Sequence, residues 1–157
     1  MVGKQIINTF VSHYHEDEEG LKSLRSLLGD NVTMKNSSVT SDKFNRANNP
    51  EYIKTLLRSR IDWASTVVCL IGPKTHDSEW VQSEIEYAHK KGKPIVGVFM
   101  RGATDADLPD AVADYASAIV GWNKQSILNA FGGKGIFNNA DGTSRSYGSG
   151  VPVRFTC

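Results

Sequence analysis

An α/β fold with a parallel sheet is what this sequence predicts, and two patterns predict it. Strand-like apolar runs alternate five times with segments of helical period, and the central runs, "STVVCLIG" and "KPIVGVFM", are unbroken rather than alternating. Such alternation requires crossover helices, and unbroken apolar runs belong to strands covered on both faces. With five parallel strands the expected order is the flavodoxin-like 2-1-3-4-5, three layers with helices on both faces.

Each element has its own signal. "IINTFVS" (6–12), rich in β-branched residues, reads as the first strand, and "HYHEDEEGLKSLRSLLGD" follows as a helix with Leu21, Leu24, Leu27 and Leu28 on its apolar side. Glu16, Asp17, Glu18 and Glu19 fall in its first turn, where the helix dipole favours carboxylates, and Gly29 closes it. "NVTMKNSSV" is a weaker second strand, and "TSDKFNRANN" is a polar loop long enough to suggest a working role. Asn49 as cap and Pro50 at the first helical position open "PEYIKTLLRSRIDWA", with Ile53, Leu56, Leu57 and Ile61 on one face. The third strand, "STVVCLIG", leads into the helix of "HDSEWVQSEIEYAHKKG", and "KPIVGVFM" is the fourth strand. "DLPDAVADYA" reads as a short helix, "SAIVGW" as the fifth strand and "KQSILNAF" as the last helix. Residues 1–131 form one domain in this reading. Residues 132–157, rich in Gly, Ser and Asn, form an irregular or hairpin-forming extension packed on it or trailing from it.

Composition narrows the function. A chain of 157 residues, 39% hydrophobic, suits a single core. Eighteen basic residues against seventeen acidic leave a net charge of +1 without a basic stripe, so nucleic-acid binding has no electrostatic basis. The two cysteines, Cys69 and Cys157, supply neither a disulfide framework nor a zinc cluster, which fits a reducing compartment. The chain shows no apolar leader, no run of transmembrane length and no prenylation box in "FTC". The expectation is a soluble, cytoplasmic protein with no membrane partner.

Open parallel sheets bind ligands beyond the carboxyl ends of the strands where the order reverses, here between the first and third strands. The loops at that point begin "SHYHED" and "GPKTHDSEW". With Asp77 or Ser78 as cap, Trp80, Glu84 and Tyr87 or Ala88 share a stripe beside the apolar stripe of Val81, Ile85 and Ala88. Glu84 therefore borders the buried face, exposed enough that removing its charge leaves the fold intact. Glu79 and Glu86 belong to a solvent row with Lys90. Geometry leaves two readings open: Trp80 and Glu84 form part of a site, or an aromatic lid lies beside a solvated carboxylate. Competing motifs are poor. His13 and His15 at i,i+2 lack a third metal ligand, "GGKGIF" is not a P-loop, "CLIGP" lacks the phosphoacceptor aspartate of a receiver domain, and "YGSGV" only echoes a hydrolase elbow.

The segments "FVSHYHEDEE", "NNPEYIKTLLRSRI" before "STVVCLIGPKT", and "SEWVQSEIEYAHKKGKPIVGV" resemble the TIR-like domains, above all the stand-alone TIR-like proteins of the Thoeris antiphage system. The resemblance runs from about residue 6 to residue 108. TIR enzymes carry Ser-x-Trp-Cys-x-x-Glu, and Ser78, Trp80 and Glu84 match it with Val81 in place of the cysteine. It implies an NAD glycohydrolase or ADP-ribosyl cyclase in which Glu84 is catalytic. By the same resemblance the nicotinamide-ribose bond of NAD would be cleaved, and a cyclic ADP-ribose isomer would carry the antiviral signal to a separate effector. NAD is then a substrate, with no further cofactor and no metal. Phe10, Ser12, His13, Ser78 and Trp80 would bind the substrate. Other readings are a core phenylalanine for Phe10, a turn former for Ser12 and a helix cap for Ser78. The loop around Ser38–Asn48 resembles the family's assembly loop, which implies self-association under a phage-derived trigger. The alternative function is a non-catalytic TIR interaction module.

Overall fold

The computed structural model describes residues 5–14, 18–29, 32–34 and 50–144. Its elements run β1 (Gln5–Ile7), β2 (Thr9–Ser12), α1 (Glu18–Leu28), β3 (Val32–Met34), α2 (Pro50–Trp63), β4 (Thr66–Ile71), α3 (Glu79–Lys90), β5 (Ile95–Phe99), α4 (Asp110–Tyr115), β6 (Ala118–Val120) and α5 (Lys124–Phe131). Short 3₁₀ turns at Thr75–Asp77 and Asp105–Asp107 precede α3 and α4.

All strand pairings between these elements are parallel: β1 with β3, β2 with β4, β4 with β5 and β5 with β6. The expected first strand is split, so a two-stranded sheet and a four-stranded sheet stand where one five-stranded sheet was predicted. Asn8 is the break. Its carbonyl accepts the N–H groups of Ser65 (2.8 Å) and Thr66 (3.3 Å), which turns the ladder from β3 on one side to β4 on the other. Because β1 and β2 are separated by Asn8 alone, the order across the molecule is β3, β1/β2, β4, β5, β6. That is the flavodoxin-like order the alternation predicts.

Period-two alternation sends the strand side chains into two cores. Phe10, Val67, Cys69, Ile71, Ile95, Phe99 and Ile119 pack under α2, α3 and α4, against Leu57, Ile61, Val81, Ile85 and Val112. Val11, Val68, Leu70, Val96, Val98 and Val120 pack under α1 and α5, against Leu24, Leu28, Ile127 and Ala130. Gly29 (φ 52) follows α1, as its place in the sequence predicts.

The segment after α5 runs along the free edge of β6. Ile119 N–H donates to Ile136 O (2.8 Å) and Asn138 N–H to Ile119 O (2.6 Å), so the edge strand's polar groups are taken up. Ala140 N–H reaches Asp105 Oδ1 (2.7 Å) and ties the segment to the loop before α4. Where it crosses, a Cβ on Gly121 would lie 3.1 Å from the Gly142 Cα, a tight contact between two backbones. The expected loop around Ser38–Asn48, the Asn49 cap, Glu16, Asp17 and residues 145–157 lie outside the described residues.

Candidate active site

Ser78 caps α3. It is extended (φ −82, ψ 114), and its Oγ accepts the Val81 N–H at 3.2 Å. This fixes the helix phase, and the phase sets the roles of the three glutamates. Val81, Glu84, Ile85 and Ala88 turn inward, while Glu79 and Glu86 remain at the surface.

Glu84 goes further inward than the sequence implies. It is 8% exposed rather than a solvent-facing border residue, which corrects the expectation drawn from the helical stripe alone. The reason lies on β2. Ser12 follows Phe10 by two residues and so points to the same face of the sheet, toward α3. Its hydroxyl donates to Glu84 Oε1 at 2.5 Å, and Ser12 itself is 1% exposed. Burial pushes the Glu84 carboxyl up to about 8, against a smaller downward pull from the Ser12 hydrogen bond. A carboxyl displaced by burial, lining a cleft and held by one hydroxyl, makes Glu84 the candidate for chemistry here.

Trp80, one turn earlier, is half-buried and lines a cleft together with Glu84, Leu57, Ile61, Arg58 and Tyr87. The free space there is about 10 Å³, roughly one water molecule. Arg58 lies 5.2 Å from the centre of the Tyr87 ring, and the Tyr87 hydroxyl donates to Asp62 Oδ1 at 2.8 Å, so this wall is braced from α2.

The remaining candidates are distributed around this pair. Phe10 is 1% exposed in the core beneath Ser12. His13, half-buried just past β2, has Nδ1 3.4 Å from the Val11 carbonyl. Thus Ser12, Trp80 and Glu84 are brought together, Ser78 sets the helix that carries two of them, and Phe10 supports the floor. Arg58 was not foreseen. Its only sequence signal is its place beside Leu57 on a helix whose packing partner is not given by local pattern. Among the described residues no group of three or more His, Cys, Asp or Glu could hold a metal ion, and no helix is long and apolar enough to cross a membrane.

Comparison with known proteins gives the family and the fold. Residues 10–105, more than half of the chain, match the family model "Thoeris protein ThsB, TIR-like domain". The chain is similar to a "Putative cyclic ADP-D-ribose synthase TIR2" of Cytobacillus dafuensis, 22% identical over 121 residues. That match takes in 76% of this chain but 32% of the relative, so the chain spans about a third of the relative's length. Among solved structures, the Clostridium botulinum CMP N-glycosidase BcmB superposes with a TM-score of 0.51 at 16% identity, covering 80% of this chain and 97% of that one. At that identity the likeness shows the fold.

Proposed function

Because this chain belongs to the TIR-like domain family of the Thoeris protein ThsB, we propose that it is an NAD-processing enzyme of antiphage defence. It cleaves the bond between nicotinamide and ribose in NAD and closes the remaining ADP-ribose into a cyclic isomer. The isomer diffuses to a separate effector as a second messenger. The name of the Cytobacillus dafuensis relative, a putative cyclic ADP-D-ribose synthase, supports the product class. The observation that carries the reading is a single buried carboxyl, Glu84, held by Ser12 beside Trp80.

One carboxyl is enough for this chemistry. Glycosidases pair an acid with a second carboxylate because their leaving group departs as an alkoxide. Nicotinamide leaves from a cationic linkage, taking the bonding electron pair as a neutral molecule, so no proton donor is required. What is required is negative charge beside the ribose carbon as it becomes oxocarbenium-like. A carboxylate about 4 Å from that charge contributes on the order of 4 kcal/mol at an effective dielectric near 20, about a thousandfold in rate. The dry setting of Glu84 strengthens this term. Arrival of the cationic nicotinamide ring draws the carboxyl toward its ionised form, and the Ser12 hydroxyl stabilises the anion. Trp80 stacks on a substrate ring, a contact of about 1 kcal/mol.

The described cleft is too small for a ribose. Activation therefore includes its opening, coupled to self-association and to a phage-derived trigger, and the rate per enzyme molecule rises with protein concentration. The test incubates wild type and Glu84→Gln with NAD, with and without extract of phage-infected cells, and resolves nicotinamide, ADP-ribose and cyclic isomers by chromatography and mass spectrometry. Release of nicotinamide and a cyclic product by wild type alone sustains the proposal. Equal turnover by both proteins, or turnover by neither in any condition, removes Glu84 as catalyst and leaves a non-catalytic interaction module.

A further inference from the structure

An open concavity lies on the opposite face of the sheet from Glu84. It has two lobes, of about 540 and 440 Å³, and both are lined by Met100, Arg101 and Trp122. These volumes fall within the range of small-molecule sites, about 300–1,000 Å³.

Strand geometry explains why it forms there. Met100 follows Val98 by two residues and Trp122 follows Val120 by two, so both continue the row of side chains facing α1 and α5 past the strand ends. The site thus sits beyond the carboxyl ends of β5 and β6, the end at which parallel sheets bind ligands. At about 4.8 Å per strand it is two to three strands, roughly 10–14 Å, from Ser12. None of its lining residues is shared with the Glu84 cleft.

The two lobes differ in chemistry. One, against α1, combines Leu27 and Met100 with Lys22, Ser23 and Ser26. The other, against the start of α5 and the edge segment, presents Asn123, Ser126, Asn138 and Asp141. The carboxylates present are already engaged: Glu19 pairs with Lys22 at 3.8 Å, and Asp141 accepts from the Thr143 N–H and hydroxyl at 2.9 and 2.6 Å. Arg101 at the junction is exposed, with no ion-pair or hydrogen-bond partner among the described residues. A half-buried indole beside an unpaired guanidinium, with an apolar pocket on one side and hydroxyl and amide groups on the other, suits a planar ring carrying an anionic group. Guanidinium recognises phosphate through a planar fork, and the indole stacks on the ring.

We propose that this groove is a second ligand site, separate from the Glu84 cleft, that binds a nucleotide with its phosphate on Arg101 and its base against Trp122. This does not depend on NAD turnover. The test titrates the full chain, carrying Glu84→Gln so that nothing is consumed, with AMP, adenosine and inorganic phosphate in a calorimeter. AMP should bind saturably below about 1 mM, with each half-ligand at least about tenfold weaker. Arg101→Gln and Trp122→Ala should each weaken AMP by about tenfold or more, while Trp80→Phe leaves it unchanged. Arg101 is exposed, so its variant reads binding without disturbing the core. Absence of saturable AMP binding up to about 5 mM overturns the proposal. So does binding that depends on Trp80 and not on Arg101, which would put the nucleotide beside Glu84 instead.

Discussion

The two faces of the sheet divide chemistry from space. Under α2 and α3 a buried carboxyl pushed up to about 8 has about 10 Å³ beside it; under α1 and α5 the lobes reach about 540 Å³, and their carboxylates, Glu19 and Asp141, already hold partners. Close packing is what displaces the Glu84 carboxyl, because burial disfavours its charged form. Open space is what a resting binding groove needs.

The most severe way to break this contrast is to remove the Glu84 charge. Glu84→Gln should lower nicotinamide release by about a hundredfold or more, roughly 2.7 kcal/mol. It keeps the side chain's size and an acceptor for Ser12. A smaller loss would mean that the cleft works by position and not by charge.

The same substitution reads burial through stability. Burial pushes the Glu84 carboxyl from its ordinary value of 4.5 up to about 8, so between these values the folded chain holds a proton that the unfolded chain has released. Its contribution is intact below about 4.5 and is lost as pH rises through about 8, at up to about 1.4 kcal/mol per pH unit. Unfolding free energies of wild type and Glu84→Gln from urea titrations should therefore be similar near pH 4.5 and separate by a few kcal/mol, in favour of the variant, above pH 8. Parallel curves would show that the carboxyl is solvated in solution.

Catalysis should show the opposite sign. If the ionised carboxylate does the work, kcat/KM rises with pH, about tenfold per unit, toward a plateau above about 8. The Ser12 hydrogen bond lowers the carboxyl's pKa, so Ser12→Ala should move the inflection to higher pH in a nicotinamide-release profile. An unmoved inflection would assign Ser12 to packing. The profile of kcat should turn at lower pH than that of kcat/KM, because a bound cationic ring favours the anion.

Legibility in the sequence followed the range of the interactions. Strand order came from alternation and unbroken apolar runs, which are local. The break at Asn8 was not visible, since it depends on which N–H groups, Ser65 and Thr66, reach its carbonyl. Glu84 was singled out by helical phase, yet its burial was missed because the Ser12 hydroxyl lies 72 residues away in the chain. The groove was missed altogether, being assembled from α1, the ends of β5 and β6, and the edge segment. A usable hint existed in Val98 to Met100 and Val120 to Trp122, where the strand period continues past the strand.

The smallest expected effect tests how the groove is shaped. Gly20 sits in the first turns of α1, and a Cβ there would come 2.6 Å from Met100 Cε and 3.0 Å from its sulfur. The contact is with the far end of an unbranched side chain, so Met100 can turn away at little cost. Alanine also gains up to about 1 kcal/mol over glycine within a helix. Gly20→Ala should then leave stability within about 1 kcal/mol of wild type. Because Met100 lines both lobes, its displacement should still weaken AMP binding severalfold in the same calorimetric titration. Unchanged affinity would show that Arg101 and Trp122 define the site without Met100. A large loss of stability would show instead that the Met100 side chain is locked, and that this side of the sheet is packed as tightly as the Glu84 side.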